Sequence, residues 1–173
     1  MEFLALSLVL AAIVLILVGT IRTGVPPMPT SPAVRACMFT VIEGLEPRCI
    51  HELGAGWGGL ATALARRFPD ARVIATEVSL LPWAVCRLRQ VLFGPANLEV
   101  RFGDILKTDF SDADLAVCFL CPPAMTKLAG RLEDGLKPGA WVLSNAFALP
   151  GWTPVKEARV DDLHRSAVYL YRK

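Results

Sequence analysis

Histidine is scarce in this chain, and charge is thin. The 173 residues hold two histidines, His51 and His164. No Ser-His-Asp set and no His-rich metal cluster emerges from so few, and no metal is expected. Charged residues make up 20%, and 18 basic against 16 acidic side chains leave a net charge of +2. That near-balance excludes a protein built to coat nucleic acid, though not a local basic patch. Apolar residues reach 54%, which excludes intrinsic disorder over most of the length. Five cysteines, an odd number at irregular spacings, exclude the disulfide framework of a small secreted domain.

What is present begins with hydrocarbon. Phe3 to Ile21 reads FLALSLVLAAIVLILVGTI, with no charged side chain. As a helix it rises about 28 Å, close to the hydrocarbon thickness of a bilayer. A cleaved signal peptide has a basic start and a small-x-small site. Here Glu2 precedes the run and Arg22-Thr23-Gly24-Val25 follows it. The expectation is a retained transmembrane anchor over 1–22. Arg22 and Arg35 follow the span and no Lys or Arg precedes it, which places the rest of the chain in the cytoplasm. Unpaired thiols suit that reducing side.

Residues 23–48 read as a linker and a pre-domain helix. Val25 to Pro32, VPPMPTSP, is too rich in proline to be helical. Ser31 and Pro32 have the chemistry of N-cap and first helical residue. Val34, Cys37, Met38, Val41, Ile42 and Leu45 then fall on one helical face, and Glu46-Pro47 ends it.

From Cys49 to the end, short apolar runs alternate with helical patterns. Strands are expected at Cys49–Leu53, Arg72–Glu77, Leu98–Phe102, Asp114–Cys121, Ala140–Ala148 and Val168–Arg172, the last antiparallel with a partner near Val155–Val160. Helices are expected at Gly58–Phe68, Leu81–Leu92 and Ala124–Leu136. Such alternation specifies an α/β fold, a mostly parallel sheet covered on both faces. Ligands of these sheets bind beyond the carboxyl ends of the strands.

The residues at those ends carry chemistry. After the first strand comes Glu52-Leu53-Gly54-Ala55-Gly56-Trp57-Gly58-Gly59. Gly54, Gly56 and Gly59 match the G-x-G-x-x-G turn of dinucleotide folds. Glu52, Gly54, Gly56 and Gly58 match the acid-x-G-x-G-x-G turn of S-adenosylmethionine (SAM) methyltransferases. A carboxylate repels a pyrophosphate and attracts the ammonium and sulfonium of SAM. Glu77 ends the second strand, where a carboxylate can accept both ribose hydroxyls of either cofactor. Asp104 follows the third strand, where SAM methyltransferases place an acid that accepts from the adenine amine, with the next backbone N–H, here that of Ile105, meeting the ring. Past the fourth strand lies Leu120-Cys121-Pro122-Pro123, where methyltransferases bring the transferred group to the nucleophile; Leu120, Cys121 and Pro122 are the residues expected to position the acceptor. Its backbone carbonyls can receive an incoming amine. It lacks an aromatic platform for a flat base, which weighs against a nucleic-acid acceptor. Cys118-x-x-Cys121 lacks a second pair and reads as structural thiols. His51 reads as packed in a strand, Trp83 and Trp141 as core. Trp152 reads equally as core or as a wall of the acceptor entrance.

The segments ELGAGWGGLATALARRFP, ATEVSLLPW, NLEVRFGDIL, DLAVCFLCPPAM, LKPGAWVLSNAFALPGW and AVYLYR together resemble membrane-anchored class I SAM-dependent methyltransferases of bacteria. They are similar to the mitochondrial protein-lysine methyltransferase family that modifies the c-ring protein of ATP synthase. Pro29-Thr30 and Trp152-Thr153-Pro154 match features of that family. Trp57 stands where its eukaryotic members usually have Asp, and Cys121-Pro122-Pro123 replaces their own proline loop. The resemblance implies a Rossmann-like seven-strand class I methyltransferase sheet over 49–173. It implies SAM held by Glu52, Gly54, Ala55 and Gly56 at the methionine end, Glu77 at the ribose, Asp104 and Ile105 at the adenine, and Thr30 near the carboxylate. It also implies a bacterial inner-membrane enzyme whose acceptor is a protein lysine, with a phospholipid headgroup amine as the alternative. The domain is short and has no insertion to build a lid, which suits a large acceptor. A nicotinamide oxidoreductase using the same glycines lacks a Tyr-Lys or His-acid proton relay. A non-catalytic SAM-binding protein is the third reading.

Overall fold

The computed structural model describes residues 2–24, 27–163 and 165–173. Met1, Val25 and Pro26 of the connector, and His164, lie outside the described residues. The apolar run forms helix α1, Glu2–Thr23. Helix α2, Pro32–Val41, starts as expected: the Ser31 hydroxyl accepts from the Val34 N–H at 3.2 Å. It stops earlier than expected, because Glu43-Gly44 turns the chain with Gly44 at φ +83°. Leu45 still packs against the core, so the apolar spacing outlasts the helix.

Among the described residues seven strands follow with three helices between them: β1 Cys49–Leu53, α3 Gly59–Arg67, β2 Arg72–Glu77, α4 Leu80–Phe93, β3 Leu98–Phe102, β4 Leu115–Cys118, α5 Pro122–Gly135, β5 Trp141–Asn145, β6 Lys156–Arg159 and β7 Ala167–Arg172. They form one sheet in the order β3-β2-β1-β4-β5-β7-β6. The first five are parallel and β7 is antiparallel to both β5 and β6. This is the Rossmann-like seven-strand sheet of class I methyltransferases. The order reverses between β1 and β4, which opens a crevice beyond their carboxyl ends.

The central strands are buried on both faces, so they read as apolar runs without alternation. One core layer joins α2 and α3 to the sheet through Met38, Ile42, Leu60, Leu64, Val73, Val117 and Leu143. The other joins α5 through Leu53, Met125, Leu128, Leu132 and Val142. Buried Tyr171 belongs to this second layer, and its hydroxyl accepts from the Leu149 N–H at 3.0 Å. Edge strand β6, Lys-Glu-Ala-Arg, is charged and exposed, which blunts further strand pairing.

Two strands are shorter than the sequence implied. β4 ends at Cys118, because Phe119 and Leu120 leave the sheet to wall a cavity. β5 ends at Asn145, because Ala146 adopts φ +65° and turns the chain. Helix α5 starts earlier than expected: Cys121 is its N-cap, and Pro122 and Pro123 occupy the first turn, where the missing N–H costs nothing.

Candidate active site

A cavity of about 450 Å³ opens at the carboxyl ends of β1, β2 and β4. Thr30, Glu52, Gly54, Ala55, Gly56, Glu77, Asp104, Ile105 and Leu120 all line it. Cys121 and Pro122 do not; Phe119, Pro123 and Ala124 complete that wall. Cys121 stands at the N-cap position of α5, outside the lining, so the expected acceptor loop is narrower than the sequence implied and centred on Leu120.

The glycine turn shows which template the chain follows. Gly54 has φ +92°, and a Cβ there would meet Leu120 Cδ2 at 2.9 Å. At Gly58, φ is +77° and a Cβ would stand 2.4 Å from Cys86 Sγ and 3.3 Å from Cys86 Cα. At Gly59 a Cβ meets nothing within 4 Å. The third glycine of a dinucleotide turn is there for close helix packing. Here Gly58 makes the close approach, against helix α4, and Gly59 makes none, which favours acid-x-G-x-G-x-G over G-x-G-x-x-G.

The Glu77 carboxylate ties the turn together. It accepts from the Gly56 N–H at 2.8 Å and from the Ser79 N–H at 2.7 Å. The carbonyl of Thr76 accepts from the N–H groups of Gly54 and Ala55. Asp104 accepts from the Leu106 N–H at 2.9 Å, which fixes the turn after β3.

Glu52 is the unbalanced group. It is 4% exposed, and its Oε2 has no hydrogen-bond partner among the described residues. Burial, and then the nearby Glu77 carboxylate, push its carboxyl well above the ordinary glutamate range. A buried acid facing a cavity with nothing to pair it is costly, and a cationic ligand relieves that cost. The ammonium and sulfonium of SAM are such cations. A pyrophosphate would instead add negative charge beside two carboxylates.

Three features of the site were not read from the sequence. Trp57 donates its indole N–H to the Pro27 carbonyl at 2.8 Å, which draws Pro27–Thr30 over the cavity as a wall. Arg89 donates to the Trp57 carbonyl at 3.0 Å, and with Lys127 it brings basic side chains to the lining. Met28 also lines it. Spacing cannot show the Trp57–Pro27 link, because it joins segments across the fold. A tryptophan beside a glycine turn was its only signal.

Other candidates fall away from the cavity. His51 is 1% exposed and its Nε2 lies 2.8 Å from Asp112 Oδ1. Burial holds its pKa below the usual value despite that acid. Cys49 Sγ also donates to Asp112, so the one carboxylate serves both. Cys118 is fully buried with its thiol pushed up to about 12, a structural group. Trp152 packs edge-on to Tyr171 at 6.1 Å and does not line the cavity, which decides its reading for the core.

Sheet order, crevice and buried acid together define a class I SAM-dependent methyltransferase. Comparison with known proteins places it further. The chain belongs to the family of the ANTKMT methyltransferase domain, whose profile matches residues 52–156. It is similar to a protein-lysine N-methyltransferase of Saccharolobus islandicus, 28% identical over 157 residues, covering 85% of this chain and 92% of that one. It is also similar to the ATP synthase c-subunit lysine N-methyltransferase of Rattus norvegicus, 30% identical over 135 residues, 73% of this chain. The match spans 59% of the rat enzyme. Among solved structures, an RNA methyltransferase from Salinibacter ruber in complex with S-adenosyl-L-homocysteine superposes with a TM-score of 0.74 at 28% identity, over 84% of this chain and 93% of that one. The cofactor of this enzyme is SAM.

Proposed function

We propose that this chain methylates a lysine ε-amine on a protein at or in a bacterial inner membrane, held there by α1 as a single-pass anchor with its catalytic domain in the cytoplasm. The observation that carries the reading is the unpartnered Glu52 carboxylate inside the cavity, a built receptor for a cation. The lysine acceptor is supported by the names of two relatives. The anchor is supported by α1, whose Phe3–Ile21 window has mean hydropathy 2.9 and, among the described residues, no buried one.

SAM supplies an activated methyl group on a sulfonium. The chain's contribution is position and electrostatics. Glu52 takes the ammonium, and the backbone at Gly54, Ala55 and Gly56 passes close to the methionine end. Glu77 keeps lone pairs for the ribose hydroxyls while it holds the turn. Asp104 accepts from the adenine amine and the Ile105 N–H meets the ring. Thr30 stands by the cofactor's carboxylate. Leu120 and the carbonyls beside it guide the amine, which loses its proton to water before it attacks. No side-chain base is required at that loop.

The test is methyl transfer by the full chain onto inner-membrane vesicles with radiolabelled SAM, followed by mass spectrometry. Label on lysine residues of membrane proteins is expected. Label extracted with lipid would move the acceptor to a headgroup, and ribonuclease-sensitive label would move it to RNA. SAM binding with no label on any fraction would make the chain a binding protein.

Trp57→Phe removes the donor to the Pro27 carbonyl and loosens the wall containing Thr30. Cofactor binding by titration calorimetry is expected to weaken about fivefold, the scale of one lost hydrogen bond. Unchanged affinity would take that wall out of the binding site.

A further inference from the structure

Helix α4 is apolar on its outer side as well as its inner side. Pro82 and Cys86 are buried beneath it. Leu80, Leu88, Val91, Leu92 and Phe93 are all more than half exposed, with Phe93 at 74%. Leu80, Ala84, Leu88 and Val91 recur at helical spacing, so they form one stripe along its length. A contiguous stripe of large apolar side chains, unlike scattered ones, marks a contact surface.

We propose that this outer face of α4 lies against the surface of an anionic bilayer and sets the mouth of the active site toward the membrane; this rests on α1 being a membrane span. Two observations select the bilayer over other occupants. The first is continuity. The Gly19 end of α1, where the span emerges from hydrocarbon, meets the start of α4. A Cβ on Gly19 would come within 3.3 Å of the Ser79 hydroxyl at the N-cap of α4. Phe3, Leu6, Leu10, Ile13, Val14 and Leu17 of α1 are exposed, so an apolar span leads directly to the helix that carries the stripe. The second is charge. Helices α3 and α4 carry no acid; Arg89 is turned to the cavity, which leaves Arg66, Arg67 and Arg87 as their outer basic side chains. Arg66 reaches the Phe93 carbonyl, at the far end of the stripe. A hydrophobic stripe with arginines at its sides is the pattern of a helix lying in a lipid interface.

The consequence is geometric. Val78, Ser79 and Arg89, at and within α4, line the same cavity as Glu52. With the stripe seated, an acceptor amine emerging from the bilayer reaches the cavity without leaving the membrane surface.

The experiment uses the full chain in vesicles of mixed phosphatidylcholine and phosphatidylglycerol, with the photoreactive residue benzoylphenylalanine placed singly at Leu10, Leu88 or Asp134. Leu10 is in the span and Asp134 is exposed on α5, across the sheet. Lipid adducts are expected at Leu10 and Leu88 and not at Asp134. Arg66→Gln with Arg87→Gln is expected to lower the Leu88 adduct about fivefold per arginine, as is omission of phosphatidylglycerol. Lipid adducts at Leu10 without any at Leu88 would overturn the seated face and leave the span intact. Lipid adducts at neither would overturn the span and the face together. A protein adduct at Leu88, from a second copy or another chain, would overturn the bilayer as occupant.

Discussion

Glu52→Gln should yield a protein that is more stable when empty and binds its cofactor much more weakly. The wild-type carboxyl is buried with an unpartnered oxygen, and its pKa in the fold is raised above the unfolded value. Between those two pKa values the folded protein holds a proton that the unfolded chain releases. Stability of the empty protein is therefore full below the unfolded pKa and is lost as pH rises through the folded one. The amide cannot ionise, so the variant lacks that slope. At neutral pH it should gain about 1–2 kcal/mol, the low end of the cost of an unpaired buried polar group. Thermal unfolding across pH, without ligand, reads the gain. Binding should move the other way. A cationic cofactor pairs with the ionised carboxylate, so wild-type affinity should rise with pH through the same window. The variant should show a flat profile at about 10- to 100-fold weaker affinity, the value of a charge-assisted hydrogen bond. A variant less stable than wild type at neutral pH, or one that binds SAM normally, would refute this account of Glu52.

Much of that site was legible beforehand for a simple reason. In a parallel sheet the chain turns where each strand ends, and ligand-facing residues sit at those turns. Glu52, Glu77 and Asp104 each lie at the end of an apolar run, and the boundaries of β1, β2 and β3 matched the expected residues. What was not legible depends on distant partners. Glu46-Pro47 looked like the stronger helix stop, yet Gly44 with its positive φ turned the chain first. Cys121-Pro122 read as loop because proline breaks helices, but proline at the first turn begins one. The periodicity of α4 could not say which side is covered, since both sides are apolar. Strand order beyond β5 rests on the β5–β7 pairing, which no local pattern encodes.

The choice between Gly58 and Gly59 is the most instructive of these, because it separates two cofactor templates and can be measured. Gly58→Ala should be severely destabilising and Gly59→Ala should not. At Gly58 the added methyl meets Cys86 Sγ at 2.4 Å and its backbone at 3.3 Å, with φ at +77°. The left-handed conformation costs a side chain about 1–2 kcal/mol. Overpacking against α4 adds about 1–3 kcal/mol. At Gly59, the first residue of α3 and with nothing within 4 Å, alanine should be neutral or stabilise by a fraction of the roughly 1 kcal/mol that separates it from glycine in a helix interior. Cys86→Ala supplies the control. It removes the sulfur nearest to the new methyl and leaves the backbone strain. In that background the Gly58→Ala penalty should fall by about 1–2 kcal/mol, a coupling that independent sites do not show. Denaturant melts of wild type, the two single variants and the double variant complete the cycle. Equal penalties with and without Cys86 would mean that Gly58 is required for backbone conformation alone. The close approach of α3 and α4 would then have no part in shaping the turn that holds the cofactor. If the penalty fell instead on Gly59, the turn would follow the dinucleotide spacing, and glycine packing would no longer favour the methyltransferase template over the other.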